Sequence, residues 1–134
     1  MMYHSFTNEN LFGVGVDMTD IRRFQKLTAE TAERLAKKIL TEYELQQYQN
    51  AADPIKYLAV AYCAKEAVSK SFGTGFRKFW FTDIEIRKSK LNKPNVYLSE
   101  NIISLFHLHQ SNFSIELSIS HEIPYIISFC VAIN

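Results

Sequence analysis

A chain of 134 residues has the length of one compact domain, and 15 basic against 14 acidic side chains (net charge +1) argue against a grip on long nucleic acid. Apolar residues make up 47% and charged residues 22%, an ordinary globular balance, and the longest apolar run, 123–133, is interrupted by Pro124 and Ser128 well short of the roughly 20 residues that cross a bilayer. Cys63 and Cys130 form no C-x-x-C pair and sit among apolar neighbours, and the first ten residues lack the basic start and apolar stretch of a leader, so a soluble protein of a reducing cytoplasm is expected.

Residues 1–10 read as a tail and 11–134 as a single domain without repeats or linkers. Residues 11–18 alternate as a strand, with Val14, Val16 and Met18 on one face and Gly13, Gly15 and Asp17 on the other. Thr19 or Asp20 is placed to cap a helix to about Leu27, a second helix is predicted over 30–40, and the capping-box spacing of Thr41 and Glu44 starts a third. Asp53-Pro54 reads as an N-cap followed by proline in the first turn, and Gly73 supplies the stop of that helix near Phe72. Beyond it, 82–86 alternates as a strand, Lys93-Pro94 marks a turn before a short strand over 96–98, and Ser99 is read as the cap of a helix to about His109. Residues 113–119 alternate again, a bend follows at 121–124, and 125–133 closes the chain as an apolar strand. Early helices and late strands predict an α+β fold, helices packed on a mainly antiparallel sheet.

Asp17 is the first candidate for chemistry. Two glycines on its strand face leave an open groove beside a carboxylate, fit for a hydrated cation and a phosphate; the alternative is packing space and a helix cap. Glu66 lies in a helix that is apolar almost all round, where a carboxylate needs a cation or hydrogen-bond donors. Lys70, one turn later, offers either an internal ion pair with Glu66 or a phosphate contact beside an acid that holds metal. Gly73-Thr74-Gly75 is a helix stop or a backbone cradle for phosphate oxygens, and His121 opens a bend. His107 and His109, two apart in a predicted helix, point in opposed directions and cannot share an ion. From Thr19 to Leu40 six basic residues face three acidic ones, either a solvated helix face or a docking surface for an acidic partner.

Taken in order, GVGVDMTDIRRF, CAKEAVSKSFGTGF, FTDIEI, a K-P turn and LSISHE closely resemble the holo-acyl-carrier-protein synthases, from about Gly13 to Val131. The A-K-E-A-x-S-K-x-x-G-T-G segment is the most specific part. The resemblance implies a 4′-phosphopantetheinyl transferase fold and transfer of that arm from coenzyme A to a serine of an apo-acyl carrier protein, with release of adenosine 3′,5′-bisphosphate. It implies magnesium held by Asp17 and Glu66; Glu66, Lys70 and His121 in catalytic roles; and Lys65, Lys70, Gly73, Thr74, Gly75 and His121 as coenzyme contacts. It also implies a homotrimer in which His121 closes a neighbour's site, and Arg22, Arg23 and Lys26 as the surface for the acidic carrier. Two positions depart from the family pattern. Ala61 stands where a basic residue usually lies five positions before the helical glutamate, and Asn92 replaces the glycine of the usual G-K-P turn. Ala61 keeps a second reading open: a weakened homologue that binds carrier or coenzyme without turnover.

Overall fold

The computed structural model describes residues 1–134. The elements are β1 (Leu11–Asp20), α1 (Ile21–Gln25), α2 (Ala29–Ile39), α3 (Glu42–Asn50), α4 (Pro54–Ser71), a 3-10 turn (Phe81–Asp83), β2 (Ile84–Lys88), β3 (Pro94–Leu98), α5 (Glu100–Leu105), β4 (Ser114–Glu122) and β5 (Tyr125–Ile133).

Polar caps fix where the helices begin. Asp20 accepts the Arg22 amide at 3.0 Å, Thr28 the Thr31 amide at 3.1 Å and Asp53 the Lys56 amide at 3.1 Å. Thr41 and Glu44 satisfy each other's amides, at 3.3 and 2.9 Å. Helix α4 stops at Gly73, whose φ of +77° lies where only glycine is comfortable.

β5 lies between β1 and β4 in an antiparallel three-stranded sheet, and β2 pairs with β3 in a separate ribbon. The α+β fold with antiparallel strands expected from the sequence is present, its strands divided between two sheets. β2 and β3 pair only with one another. α5 is also shorter than predicted, ending at Leu105. Phe106 turns inward, 4.8 Å centroid to centroid from Phe72, and His107 takes a left-handed φ of 54°. The aromatic contact outweighs one more helical turn, and His107 and His109 share no helix.

Helix α4 is the centre of the core. Leu58, Ala59 and Cys63 pack with Ile21, Phe24, Ile39 and Leu40 of the helical layer. Ala64, Ala67, Val68 and Phe72 pack with Ile84, Ile102, Leu117 and Cys130 of the sheets. Each large side chain buried this way contributes about 1.5–3 kcal/mol.

Lys65 corrects the sequence reading most sharply. It was expected at the coenzyme, yet its side chain and that of Glu44 are both 0% exposed. Its ammonium donates to Glu44 Oε1 at 2.6 Å, to the Ile39 carbonyl at 2.6 Å and to the Phe81 carbonyl at 3.0 Å. All three donors are used inside the protein, so Lys65 clamps α2, α3 and the 3-10 turn onto α4 and has no proton left for a ligand. Burial lowers its pKa, and the Glu44 charge opposes that shift.

Candidate active site

A methyl group on Gly13 would collide with the backbone carbonyl of Ser71, and one on Gly15 with that of Ala67. The open groove expected beside Asp17 is thus filled by helix backbone; the two glycines let α4 lie directly on β1. That contact builds the site. With Gly15 against Ala67 and Gly13 against Ser71, Asp17 falls one turn nearer the helix N-terminus, where the Cys63 thiol donates to its carbonyl at 3.4 Å.

Lys70 reaches across to β1, donating to the Val16 carbonyl at 2.9 Å and to Asp17 Oδ1 at 3.1 Å. Its partner is Asp17 rather than Glu66 of its own helix. Thr19 Oγ1 donates to the other carboxylate oxygen at 3.0 Å. The Lys70 side chain is 49% exposed and that of Asp17 is 16% exposed. A pair this open is worth under about 1 kcal/mol, so an incoming anion can draw the ammonium away at little cost.

Glu66 stands half-buried beside Asp17. Burial, then the Asp17 charge, raises its pKa, and Tyr62 and Lys70 oppose the shift. Two carboxylates, one of which raises the proton affinity of the other, share one loosely held lysine and form a site short of positive charge. Tyr62 lies one turn before Glu66 on α4. Its ring stacks on Phe81 with centroids 5.5 Å apart, and its hydroxyl faces both Glu66 and Arg23. The i, i+4 spacing from Glu66 was the sequence signal for it.

Arg22, Arg23 and Lys26 are all exposed, and Arg23 faces the Tyr62 hydroxyl beside Glu66. Arg22 holds Asp20 at 2.8 Å, so part of its charge is already answered, whereas Arg23 and Lys26 form no ion pair. Beyond α4, Gly73 and Gly75 take φ of +77° and +58° with open space around their Cα atoms, and Thr74 Oγ1 donates to the Gly75 carbonyl at 3.0 Å. His121 lies elsewhere. It borders a cavity of about 440 Å³ that Lys56, Ala61 and Lys88 also line and that none of Asp17, Glu66 or Lys70 reaches. Within one chain the structure thus unites Asp17, Glu66 and Lys70, and leaves His121 apart.

The outer face of the three-stranded sheet is apolar and bare. Val16 (55% exposed) pairs with Phe129 (47%) and Met18 (63%) with Ile127 (41%), while the β4 positions opposite Phe129 and Ile127 are Ser118 and Ser120.

An α+β scaffold presenting a carboxylate pair and an exposed lysine suits phosphate chemistry. The chain belongs to the 4′-phosphopantetheinyl transferase superfamily, whose model matches residues 13–130, and it is an enzyme of that class. A holo-[acyl-carrier-protein] synthase of Fusobacterium nucleatum is 38% identical over 115 residues, covering 86% of this chain and 93% of the relative. One from a Polaromonas species is 35% identical over 127 residues, covering 90% and 95%. The crystal structure of the Neisseria meningitidis holo-[acyl-carrier-protein] synthase superposes with a TM-score of 0.80 at 31% identity, covering 91% of this chain and 98% of that one. The Helicobacter pylori synthase in complex with coenzyme A superposes at 0.75 and 27% identity, covering 89% and 98%.

Proposed function

We propose that this chain transfers the 4′-phosphopantetheine arm of coenzyme A to a serine of an acidic acyl carrier protein and releases adenosine 3′,5′-bisphosphate. The observation that carries the reading is the meeting of Asp17, Glu66 and Lys70 across the glycine-lined contact of β1 and α4.

Magnesium fits this donor set. It is usually held by one or two carboxylates with substrate phosphates and waters completing the shell, and Asp17 and Glu66 supply two. No third His, Cys, Asp or Glu gathers there, so the residues suit a cation shared with substrate rather than one caged by protein alone. When bound, the ion supplies electrostatic stabilisation of the diphosphate.

The serine oxygen attacks the β-phosphorus of the diphosphate, forming a P–O ester as the bond to the bridging oxygen breaks. Lys70 leaves Asp17 for the diphosphate and neutralises charge on the departing nucleotide. Glu66, directly or through a water, takes the serine proton. The Gly73 amide is donated to the Lys70 carbonyl at 3.0 Å, so the Thr74 and Gly75 amides, which make no backbone hydrogen bond, are the ones offered to phosphate oxygens, and the exposed Arg23 and Lys26, without ion pairs, steer the acidic carrier.

The bare apolar sheet face and the separation of His121 from the carboxylates support a homotrimer in which His121 completes a neighbour's site. Incubation of apo-carrier with coenzyme A and magnesium tests the whole. A mass gain of one phosphopantetheine on the carrier is expected, and Asp17→Ala or Glu66→Ala should abolish it with the fold retained. Full activity in either variant would contradict the metal assignment. Mixing His121→Ala with Glu66→Ala subunits should restore part of the activity if sites are shared between copies.

A further inference from the structure

Thr19 lies near the end of β1 with a buried hydroxyl that the next helix does not use, because Asp20 caps α1. Side chains two residues apart on a strand share a face, and the Thr19 hydroxyl donates to Asp17 Oδ2 at 3.0 Å. The two partners of the Asp17 carboxylate differ in their access to solvent. Lys70 holds Oδ1 from a side chain that is 49% exposed, whereas Thr19 is 1% exposed. An incoming anion can draw the lysine away, but the threonine is out of a ligand's reach. Branching at Cβ further confines its rotamer, and a hydroxyl bonds a carboxylate more strongly than it bonds a neutral acceptor. Ser128 stands opposite Asp17 in the β1–β5 register and is just as buried, yet its hydroxyl lacks a hydrogen-bond partner. Of these two buried hydroxyls, Thr19 alone holds the carboxylate.

We propose that Thr19 is a positioning residue that pins Oδ2 of Asp17 inside the fold and leaves Oδ1 as the one oxygen this carboxylate offers to a divalent cation. The inference rests on the reading that Asp17 and Glu66 share that cation with substrate phosphates. Magnesium demands a near-ideal octahedron of oxygens, whereas calcium takes carboxylates through one oxygen or two in a flexible shell. A carboxylate with one oxygen committed to a buried donor therefore suits the smaller ion. Loss of the Thr19 hydroxyl frees the carboxylate to rotate, which penalises the demanding ion and leaves the tolerant one little affected.

Manganese(II), which shares magnesium's octahedral oxygen coordination, is the probe. It is titrated into full-length protein saturated with coenzyme A, and the free ion is read by electron paramagnetic resonance against a coenzyme A blank. Calcium affinity follows from displacement of manganese, and thermal midpoints verify folding. Thr19→Val keeps the side-chain shape without the hydroxyl. It should bind manganese about tenfold more weakly, the lower end of what an outer-shell partner of a metal ligand contributes, and bind calcium like the wild type. Thr19→Ala, the second variant, should show the same selective loss. Thr19→Ser restores a hydroxyl and should recover most of the affinity, and Ser128→Ala should bind manganese like the wild type. Wild-type manganese affinity in Thr19→Val, or equal losses for the two ions, overturns the role of Thr19. If Asp17→Ala loses manganese while Thr19→Val does not, only Thr19 is misassigned. If Asp17→Ala binds manganese as the wild type does, the shared cation is refuted and this inference with it.

Discussion

Replacing Lys65 by methionine removes one charge at nearly constant volume from the inside of α4. Three groups then lose their donor: Glu44 Oε1 and the carbonyls of Ile39 and Phe81. Glu44 keeps hydrogen bonds from the amides of Thr41 at 2.9 Å and Ile86 at 2.8 Å, but it becomes a fully buried charge without a counter-ion. Breaking a buried pair from one side costs about 3–5 kcal/mol, a large part of the 5–15 kcal/mol that typically holds a domain together. Urea unfolding should show that loss, and the Glu44→Gln variant should also be destabilised. The double variant should be less destabilised than the two losses added, because the stranded charge is gone. If Lys65→Met unfolds within about 1 kcal/mol of wild type but loses affinity for coenzyme A, Lys65 is a ligand after all and the clamp described here is wrong.

Gly15→Ala should cost more than 2 kcal/mol, because the methyl group meets the Ala67 carbonyl and backbone must move. Gly73→Ala meets no atom and should lose only the roughly 1–2 kcal/mol of a left-handed residue, so similar losses in thermal unfolding would contradict the direct helix-on-strand contact. His121, facing Lys56, Lys88 and Asp53 with Tyr43 and Tyr57 nearby, should titrate below the ordinary histidine value near 6.5, by NMR. Its neutral form is favoured on folding, so its share of stability should rise with pH from that lowered value up to about 6.5. Lys56→Ala should move the titration upward, and an unchanged pKa would place the two groups apart. Met18→Glu, on the bare sheet face, should reduce the mass in light scattering to that of a 15.5 kDa monomer if that face joins copies of the chain.

Local signals announced what local forces decide. The capping box of Thr41 and Glu44, the Asp53-Pro54 start of α4 and the Gly73 stop each act within one helical turn, so they were legible in residue order and hold in the structure. Strand alternation likewise located β1 and β4, because a strand facing a core on one side repeats every two residues, and β5 was legible as an apolar run after the bend. Asp17, Glu66 and Lys70 were legible as candidates through resemblance and through the oddity of a carboxylate in an apolar helix.

Which groups meet was settled only by packing across the chain. Alternation cannot say that Gly13 and Gly15 receive the α4 backbone rather than border a groove, nor that Lys70 prefers Asp17 to Glu66. Nothing within a few residues of Lys65 separates a phosphate contact from a core clamp; its partner Glu44 lies 21 residues earlier, at a helix start that looked complete in itself. The sequence determined the elements and the inventory of charges, since those depend on neighbours in the chain. The tertiary structure determined which charges are spent inside and which remain for a ligand, because burial and pairing depend on distances that chain order does not carry.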